Sequence, residues 1–382
     1  MWKRLAQRRL RALSRQFPAV LIVGARQVGK TTLARQTFPR HAYVDLEEPR
    51  TRERFAADPT FHLTEQAQRP VLLDEAQAVP AVFAALRGLI DRRPAAHGRF
   101  ILLGSAQPAL LRQVSESLAG RVGILELEPL VPAEIGVRSW RTAWLKGGFP
   151  RALQGDFREW WEAYLRTYVE RDLPQLGVAT DPLLLRRLLT MLAHAQGGIF
   201  NASAFAQSLG VSYHTVQRYV DVLEHTFLVR RLTPYHRNVR KRLVKAPKLY
   251  LRDTGLLHHL LNLSSLDEVA HHPVHGMSWE TFVIEDLMRR ERLAHPHTQF
   301  HYWRTAAGAE VDLVLDRGST RVAVEVKVGE GGRPRHVTAL EQSLTDLAAR
   351  SAWVLDQAAG SQRLRPQVTR RCAAASFAWL PN

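Results

Sequence analysis

The sequence predicts an α/β protein of 382 residues built in several parts. These are a parallel-sheet domain around a phosphate-binding loop, a helical connector, a winged helix-turn-helix and a second α/β domain. Three observations carry that expectation. An apolar run at 19–23 leads directly into Gly24, four further residues and Gly29-Lys30-Thr31. Apolar strands then alternate with helical stretches to about residue 130, the pattern of a parallel sheet with helices on its faces. Beyond residue 278, carboxylates recur on short apolar segments and end in Glu325-Val326-Lys327. The expected divisions are 1–130 for the nucleotide-binding core, 131–195 for a helical lid or connector, 196–255 for the winged helix and 256–382 for the last domain.

Residues 19–32 read AVLIVGARQVGKTT. A strand running into this glycine loop and then into a helix is a phosphate-binding arrangement. The glycines let backbone N–H groups turn inward around a β-phosphate, and the helix N-terminus adds partial positive charge. Gly24, Ala25, Arg26, Gln27, Val28, Gly29, Lys30, Thr31 and Thr32 form the expected ATP cradle. Lys30 would reach the β- and γ-phosphates, and the Thr31 hydroxyl would sit on Mg²⁺.

Bulk properties narrow the setting. Hydrophobic residues make up 46% and charged residues 23%, as in an ordinary soluble protein. No apolar run approaches the length of a bilayer span, so no membrane partner is expected. The basic N-terminal stretch lacks a signal-peptide h-region or small-residue cleavage site, and the expected location is cytoplasmic. A single cysteine, Cys372, leaves no internal disulfide and no cysteine metal cluster. A net charge of +17 points to a polyanionic partner, with DNA the default.

Taken in order, HAYVDLEE (41–48) reads as the second strand, and PVLLDE (70–75) as an apolar strand ending in two carboxylates. This is a Walker B pattern: Asp74 holds the Mg²⁺ through water or Thr31, and Glu75 polarises the attacking water. The strand RFILLGS (99–105) ends in Ser105, which either orients the water or γ-phosphate, with Gln107 the second choice, or caps a turn. Arg121, before the strand in SLAGRVGILELEPL (117–130), is either an arginine finger for a neighbouring subunit's nucleotide or a salt-bridged surface residue. With Glu75 after Asp74 and a polar sensor strand following, the domain resembles the AAA-type ATPases.

LLDEAQAVP (72–80), GGFPRAL (147–153), YVERDLPQLG (168–177) and KLYLRDTGLL (248–257) extend that likeness along nearly the whole chain. They resemble a large prokaryotic family of AAA-type ATP-binding proteins with a C-terminal region of restriction-endonuclease-like fold. That resemblance implies the architecture more closely than the cellular role.

Residues 130–177 are rich in Trp, Leu and Arg at helical spacing, and Trp160, Tyr164 and Tyr168 are expected in the core of a small lid. Arg171 and Asp172 are expected to pair. From Asn201, a helix at 204–209 meets a Gly210 turn, and Ser212 caps a second helix at 213–223 whose apolar face is Val216, Tyr219, Val220 and Leu223. Its outer face offers Tyr213, His214, Gln217 and Arg218 to a groove or to phosphates. FLVRRL (227–232) follows as a wing strand, and Arg237, Arg240, Lys241, Arg242 and Lys245 make a basic hairpin suited to a DNA backbone. The alternative is a packing module with a solvated basic face.

In the last domain a helix beginning at Ser278 places Glu280 in its first turn. HYWRTAAGAEVDLVLD (301–316) gives two strands around Gly308, and RVAVEVKVG (321–329) puts Glu325 and Lys327 on one face. A hairpin would bring Asp312 to Glu325. Two carboxylates converging on a lysine are the metal-and-base geometry of the Asp…Glu-x-Lys nucleases. Asp312 and Glu325 would ligate Mg²⁺, Glu280 would support them, and Lys327 would position or deprotonate a water. The order helix Glu, strand Asp, strand Glu-x-Lys resembles the restriction-endonuclease-like superfamily. That fold serves either to cleave DNA or only to bind it or build oligomers. The histidines at 258, 259, 271, 272, 275, 295 and 297 match no compact ligand spacing and are expected on surfaces or loops, and the tail is expected to end in a strand at 374–380.

The expected function is ATP hydrolysis, with ATP and Mg²⁺, coupled to binding and remodelling or processing of DNA. Two other classes fit the same residues. One is a ring-forming, for instance hexameric, DNA translocase, helicase or branch-migration motor whose nuclease-like domain only grips DNA. The other is a signalling or defence switch that binds a protein partner.

Overall fold

The computed structural model describes residues 2–66, 68–105, 108–175, 181–235, 246–306, 308–329 and 334–377. They form two compact units, 1–129 with 225–227 and 130–224 with 228–382.

In the first unit β1 (Ala19–Gly24), β2 (Ala42–Asp45), β3 (Val71–Asp74), β4 (Phe100–Ser105) and β5 (Val122–Glu126) form one sheet in the order β2-β3-β4-β1-β5. Every neighbouring pair is parallel. A parallel sheet needs helices on its faces, and its central strands are therefore apolar throughout. β1 is buried along its whole length, as is β3. The connecting helices are α1 (Ala6–Gln16), α2 (Lys30–Thr37), α3 (Pro49–Ala57), α4 (Pro59–Gln66), α5 (Ala81–Asp91) and α6 (Pro108–Ser117). β2 is shorter than the expected 41–48, because Glu48 leaves the strand to cap α3, its carboxylate accepting from the N–H groups of Arg50 (3.2 Å) and Thr51 (2.7 Å). The strands share one direction, so Gly24, Asp74 and Ser105 end at the same edge, Gly24 directly beside Ser105.

The second unit is organised on an eight-stranded mixed sheet, β6 (Val229–Pro234), β7 (Lys248–Leu251), β8 (Gln299–Arg304), β9 (Glu310–Asp316), β10 (Arg321–Val326), β11 (Ser351–Asp356), β12 (Ser361–Arg365) and β13 (Val368–Cys372). Its order is β12-β13-β11-β10-β9-β8-β6-β7. Helices Ala202–Leu209 and Tyr213–His225 meet at Gly210, whose φ of 68° requires the left-handed region. Asn201 and Ser212 cap them, accepting from Ala204 N (3.2 Å) and Thr215 N (3.1 Å). β6 and β7 follow as an antiparallel pair, and β6 also pairs in parallel with β8. The strand expected as a wing is therefore part of the large sheet.

One helix, His275–Ala294, is buried almost all round from Ser278 to Glu291 despite carrying Glu280, Glu285, Asp286, Arg289, Arg290 and Glu291. Such burial requires paired charges. Glu285 meets Arg230 at 2.5 Å, and Asp286 meets Arg290 at 2.5 Å. The helix begins at His275, so Glu280 lies one turn deeper than a start at Ser278 predicts.

Two sequence segments lock together beside this helix. The buried Asp253 accepts from Gly148 N (2.8 Å) and, as the cap of helix Thr254–Leu260, from Gly255 N (2.9 Å). A Cβ on Gly147 would collide with the Asp253 carboxylate, and one on Gly255 with the Lys146 carbonyl. Phe149 and Tyr164, with Trp161 between them, pack as expected in the lid core, and Trp160 stacks against them. The side chain of Asp172 lies outside the described residues.

Two expectations change. The tail forms a helical turn at Ala373–Ser376 where a strand from 374 was expected, and 378–382 lie outside the described residues. His258 is not a surface residue but fully buried. Its Nδ1 donates to the Leu145 carbonyl (2.9 Å), and its Nε2 accepts from Ser278 Oγ (2.7 Å), which itself accepts from Trp144 Nε1 (2.9 Å).

Burial holds His258 down at about 4, from an ordinary 6.5. The unfolded chain therefore takes up a proton first, and stability falls as pH drops from 6.5 towards 4, by up to about 3 kcal/mol from this group. Urea unfolding at pH 7.5 and 4.5 should show this acid loss in wild type and a loss smaller by that amount in His258→Gln.

Candidate functional site

The first constellation lies at the carboxyl edge of the parallel sheet. Gly24 ends β1 where a Cβ would collide with the Leu127 carbonyl, and Gly29 enters α2 at φ 101°, which only glycine adopts without strain. Between them Ala25, Arg26, Gln27 and Val28 make the loop, Gln27 at φ 60°. Lys30 and Thr31 open α2, followed by Thr32. The Lys30 ammonium is buried and donates to the carbonyls of Gly24 (3.0 Å) and Ala25 (3.1 Å), which holds it under the loop. Arg4 braces the outside, donating to the carbonyls of Val28 (3.1 Å) and Glu128 (2.5 Å).

Asp74 ends β3 as the hub. Its Oδ2 accepts from Thr31 Oγ1 (2.8 Å) and Tyr43 OH (3.0 Å), and its Oδ1 from Glu75 N (3.0 Å). The paired hydroxyl and carboxylate are the donor set that a Mg²⁺ bound with nucleotide phosphates uses, and the residues present fit that ion. Glu75 takes a left-handed φ of 50°, strained for a non-glycine residue. Burial pushes its carboxyl up, while the nearby Lys30 charge and the Gln77 amide, donating at 2.5 Å, pull it down. Tyr43, whose hydroxyl burial and the Asp74 charge push up, and Gln77 were not singled out in the sequence. Neither carries a motif; only the fold brings them to the carboxylates.

Ser105 ends β4 beside Gly24, its side chain outside the described residues, as is all of Gln107. Arg121 stands at the far end of the sheet, next to the start of β1, where Ala19 N donates to its carbonyl at 3.2 Å. There it pairs with Asp91 (2.6 Å) and is no part of its own chain's nucleotide site. The salt-bridged alternative describes its geometry.

The second constellation lies where β7, β9, β10 and the His275–Ala294 helix meet in the second unit. The β9–β10 hairpin does bring Asp312 to the end of β10, its Oδ2 accepting from Val326 N (2.8 Å). Lys327 Nζ stands 2.6 Å from Glu325 and 3.8 Å from Asp312. Glu280 points at the same cluster and accepts from Tyr250 OH at 2.7 Å. Lys248 and Glu310 were missed. The buried Lys248 ammonium is 3.7 Å from Glu280 and 3.8 Å from Asp312, and it ion-pairs Glu310, which also meets Arg304 (3.2 Å). Alternation was the available signal: Lys248 shares a strand face with Tyr250, and Glu310 with Asp312.

Four carboxylates thus face three cations. Burial is the chief cause pushing Glu325 up to about 8 and Glu280 up to about 7, reinforced in each case by the Asp312 charge. One proton shared in the cluster brings it to neutrality. Among the described residues, no group of three or more His, Cys, Asp or Glu is placed to hold a metal ion. Glu280, Asp312 and Glu325 therefore do not fit the expected Mg²⁺ site, because the Lys248 ammonium stands among their cluster.

Of the expected DNA-contacting residues, Tyr213, His214 and Arg218 are exposed on their helix. Gln217 is half-buried, its amide donating to Tyr213 OH (2.9 Å) and accepting from Arg231 (3.3 Å). Arg237, Arg240, Lys241, Arg242 and Lys245 lie outside the described residues. No helix among the described residues is long and apolar enough to cross a membrane.

A family model described as an AAA domain matches residues 16–136. Two others, described as domains of unknown function (DUF8612 and DUF4143), match 137–267 and 275–370. The uncharacterized proteins Mb2031c of Mycobacterium bovis and Rv2008c of Mycobacterium tuberculosis are each 39% identical over 352 residues, covering 90% of this chain and 78% of theirs. Among solved structures, a Walker-type ATPase of Pyrococcus abyssi matches at TM-score 0.46 and 14% identity over 67% of this chain and 94% of that one. A RuvB of Thermotoga maritima matches at TM-score 0.32 and 20% identity over 59% and 88%. The assignment rests on the sequence relatives and on the loop geometry. The chain belongs to the same family as the two mycobacterial proteins, and its residues 16–136 are an AAA-type P-loop ATPase domain.

Proposed function

We propose that this chain hydrolyses ATP and couples the cycle to remodelling of DNA that its second unit grips without cutting. The observation that carries the ATP half is the Lys30–Thr31–Asp74–Glu75 constellation at one sheet edge. Backbone N–H groups of the loop and the Lys30 ammonium bind the β- and γ-phosphates, for which Lys30 exchanges its two carbonyl partners. Thr31 and Asp74 hold Mg²⁺, which when bound neutralises charge on the phosphates. Glu75, kept in place by Gln77, orients and polarises the attacking water.

Lys30→Ala is expected to lose nucleotide binding and turnover together, while Glu75→Gln keeps binding and lowers turnover by at least about 100-fold. Fluorescent-nucleotide binding beside phosphate release separates the two. Equal loss of binding in both variants would remove Glu75 from the chemistry.

The DNA half is supported by the helix pair capped at Asn201 and Ser212, by exposed Tyr213, His214 and Arg218 on the second helix, and by the net charge of +17. On this reading 196–255 acts as a winged helix, and 256–382 is a nuclease-like domain retained for binding. The non-cutting role follows from the lysine among its carboxylates. Arg121 plays no part as a finger on this reading, its guanidinium being committed to Asp91.

ATP turnover should rise several-fold with duplex, single-stranded or branched DNA. Arg218→Glu should reduce that stimulation, leave basal turnover alone and lower the salt slope of DNA binding by about one. Turnover indifferent to all three DNAs would sink the DNA reading in favour of a switch that binds a protein.

A further inference from the structure

The carboxylate cluster of the second unit poses a question that ATP turnover does not answer: what holds so much negative charge inside the protein? Lys248, the first residue of β7, is 4% exposed, and its ammonium lies within ion-pair distance of three carboxylates from two elements. Glu280 comes from the long helix; Glu310 and Asp312 come from β9. The ring of Tyr302 faces the same ammonium, its centroid 5.6 Å away. Lys327 serves the other side, bound to Glu325 Oε1 at 2.6 Å. The second oxygen of Glu325 is buried with no hydrogen-bond partner, although the residue is only 6% exposed. An orphaned carboxylate oxygen beside Asp312 is a ligand position that the present cation arrangement leaves unused.

We propose that Lys248 is the built-in cation of this cluster, standing in for a divalent metal, and that its removal exposes a latent divalent-cation site of Glu280, Asp312 and Glu325. Lysine does this because its compact ammonium can face three carboxylates at once, whereas a planar guanidinium pairs with one or two. A fixed ammonium brings charge without open coordination positions, so it cannot polarise a water or a phosphodiester as a metal does. Taking it away leaves uncompensated buried carboxylates, which are strongly unfavourable until another cation arrives. Glu325 Oε2 is then free to join Asp312 and Glu280 around that cation.

The experiment titrates the full chain with Mn²⁺, without nucleotide, and reads free Mn²⁺ by electron paramagnetic resonance. Any weak uptake at the phosphate-binding loop is common to all variants. Wild type and Asp312→Asn should bind Mn²⁺ equally. Lys248→Ala should gain one Mn²⁺ per chain, at least ten-fold tighter than any wild-type uptake, and the Lys248→Ala/Asp312→Asn double variant should lose it. Lys248→Arg should gain none. Thermal unfolding of each variant shows that it is folded. A wild-type Mn²⁺ that Asp312→Asn removes would overturn the proposal, as would a folded Lys248→Ala that gains none. If Lys248→Ala does not fold, the comparison of wild type with Asp312→Asn decides.

Discussion

The second unit depends on a single buried carboxylate that joins two distant stretches of chain. Asp253 takes hydrogen bonds from Gly148 on one side and from its own helix start on the other. Burial alone would push its carboxyl up, and those N–H groups with the Arg289 charge oppose it. The bonding works only because positions 147 and 255 carry no side chain, so the two backbones can close on the acid. From that closure follows the position of helix Thr254–Leu260, which sets His258 against Leu145 and Ser278, and hence the seat of the long helix that carries Glu280. A motif such as GGFPRAL and one such as RDTGLL are thus two halves of one joint.

The two constellations use charge in opposite ways. At the sheet edge of the first unit, Lys30 has only carbonyl dipoles as printed partners and Asp74 only neutral donors, so each retains its formal charge for an incoming phosphate and its cation. In the second unit, ammonium and carboxylate groups are already matched against one another. A site that keeps its charges unspent is set up for a ligand, and one that has neutralised them is set up to hold its own fold.

Much of this was legible in the sequence, for reasons that differ by residue. The phosphate-binding loop and Asp74 were legible because local spacing determines them: a strand, a glycine turn and a helix start need no distant partner. Asp312, Glu325 and Lys327 were legible because one hairpin closes the gap between them. Lys248 was not, since it reaches the cluster from a strand two positions beyond β8 in the sheet, and only the sheet order reveals it. Tyr43 and His258 were missed for the same reason: a tyrosine on a short strand and a histidine in a polar-looking HH pair acquire their roles from residues 31 and 113 positions away. The helix pair at 202–225 was legible from its caps, but the destination of β6 was not, because strand propensity does not say which sheet a strand joins.

That destination has a mechanical side. β6 is hydrogen-bonded to β7 on one edge and to β8 on the other, immediately after the helix whose outer face bears Tyr213 and Arg218. A load applied to that helix would therefore be carried in shear along a ladder of backbone hydrogen bonds, which yields only when several break at once. Within this unit the helix pair behaves less like a tethered finger than like a tooth cut from the same plate as the sheet.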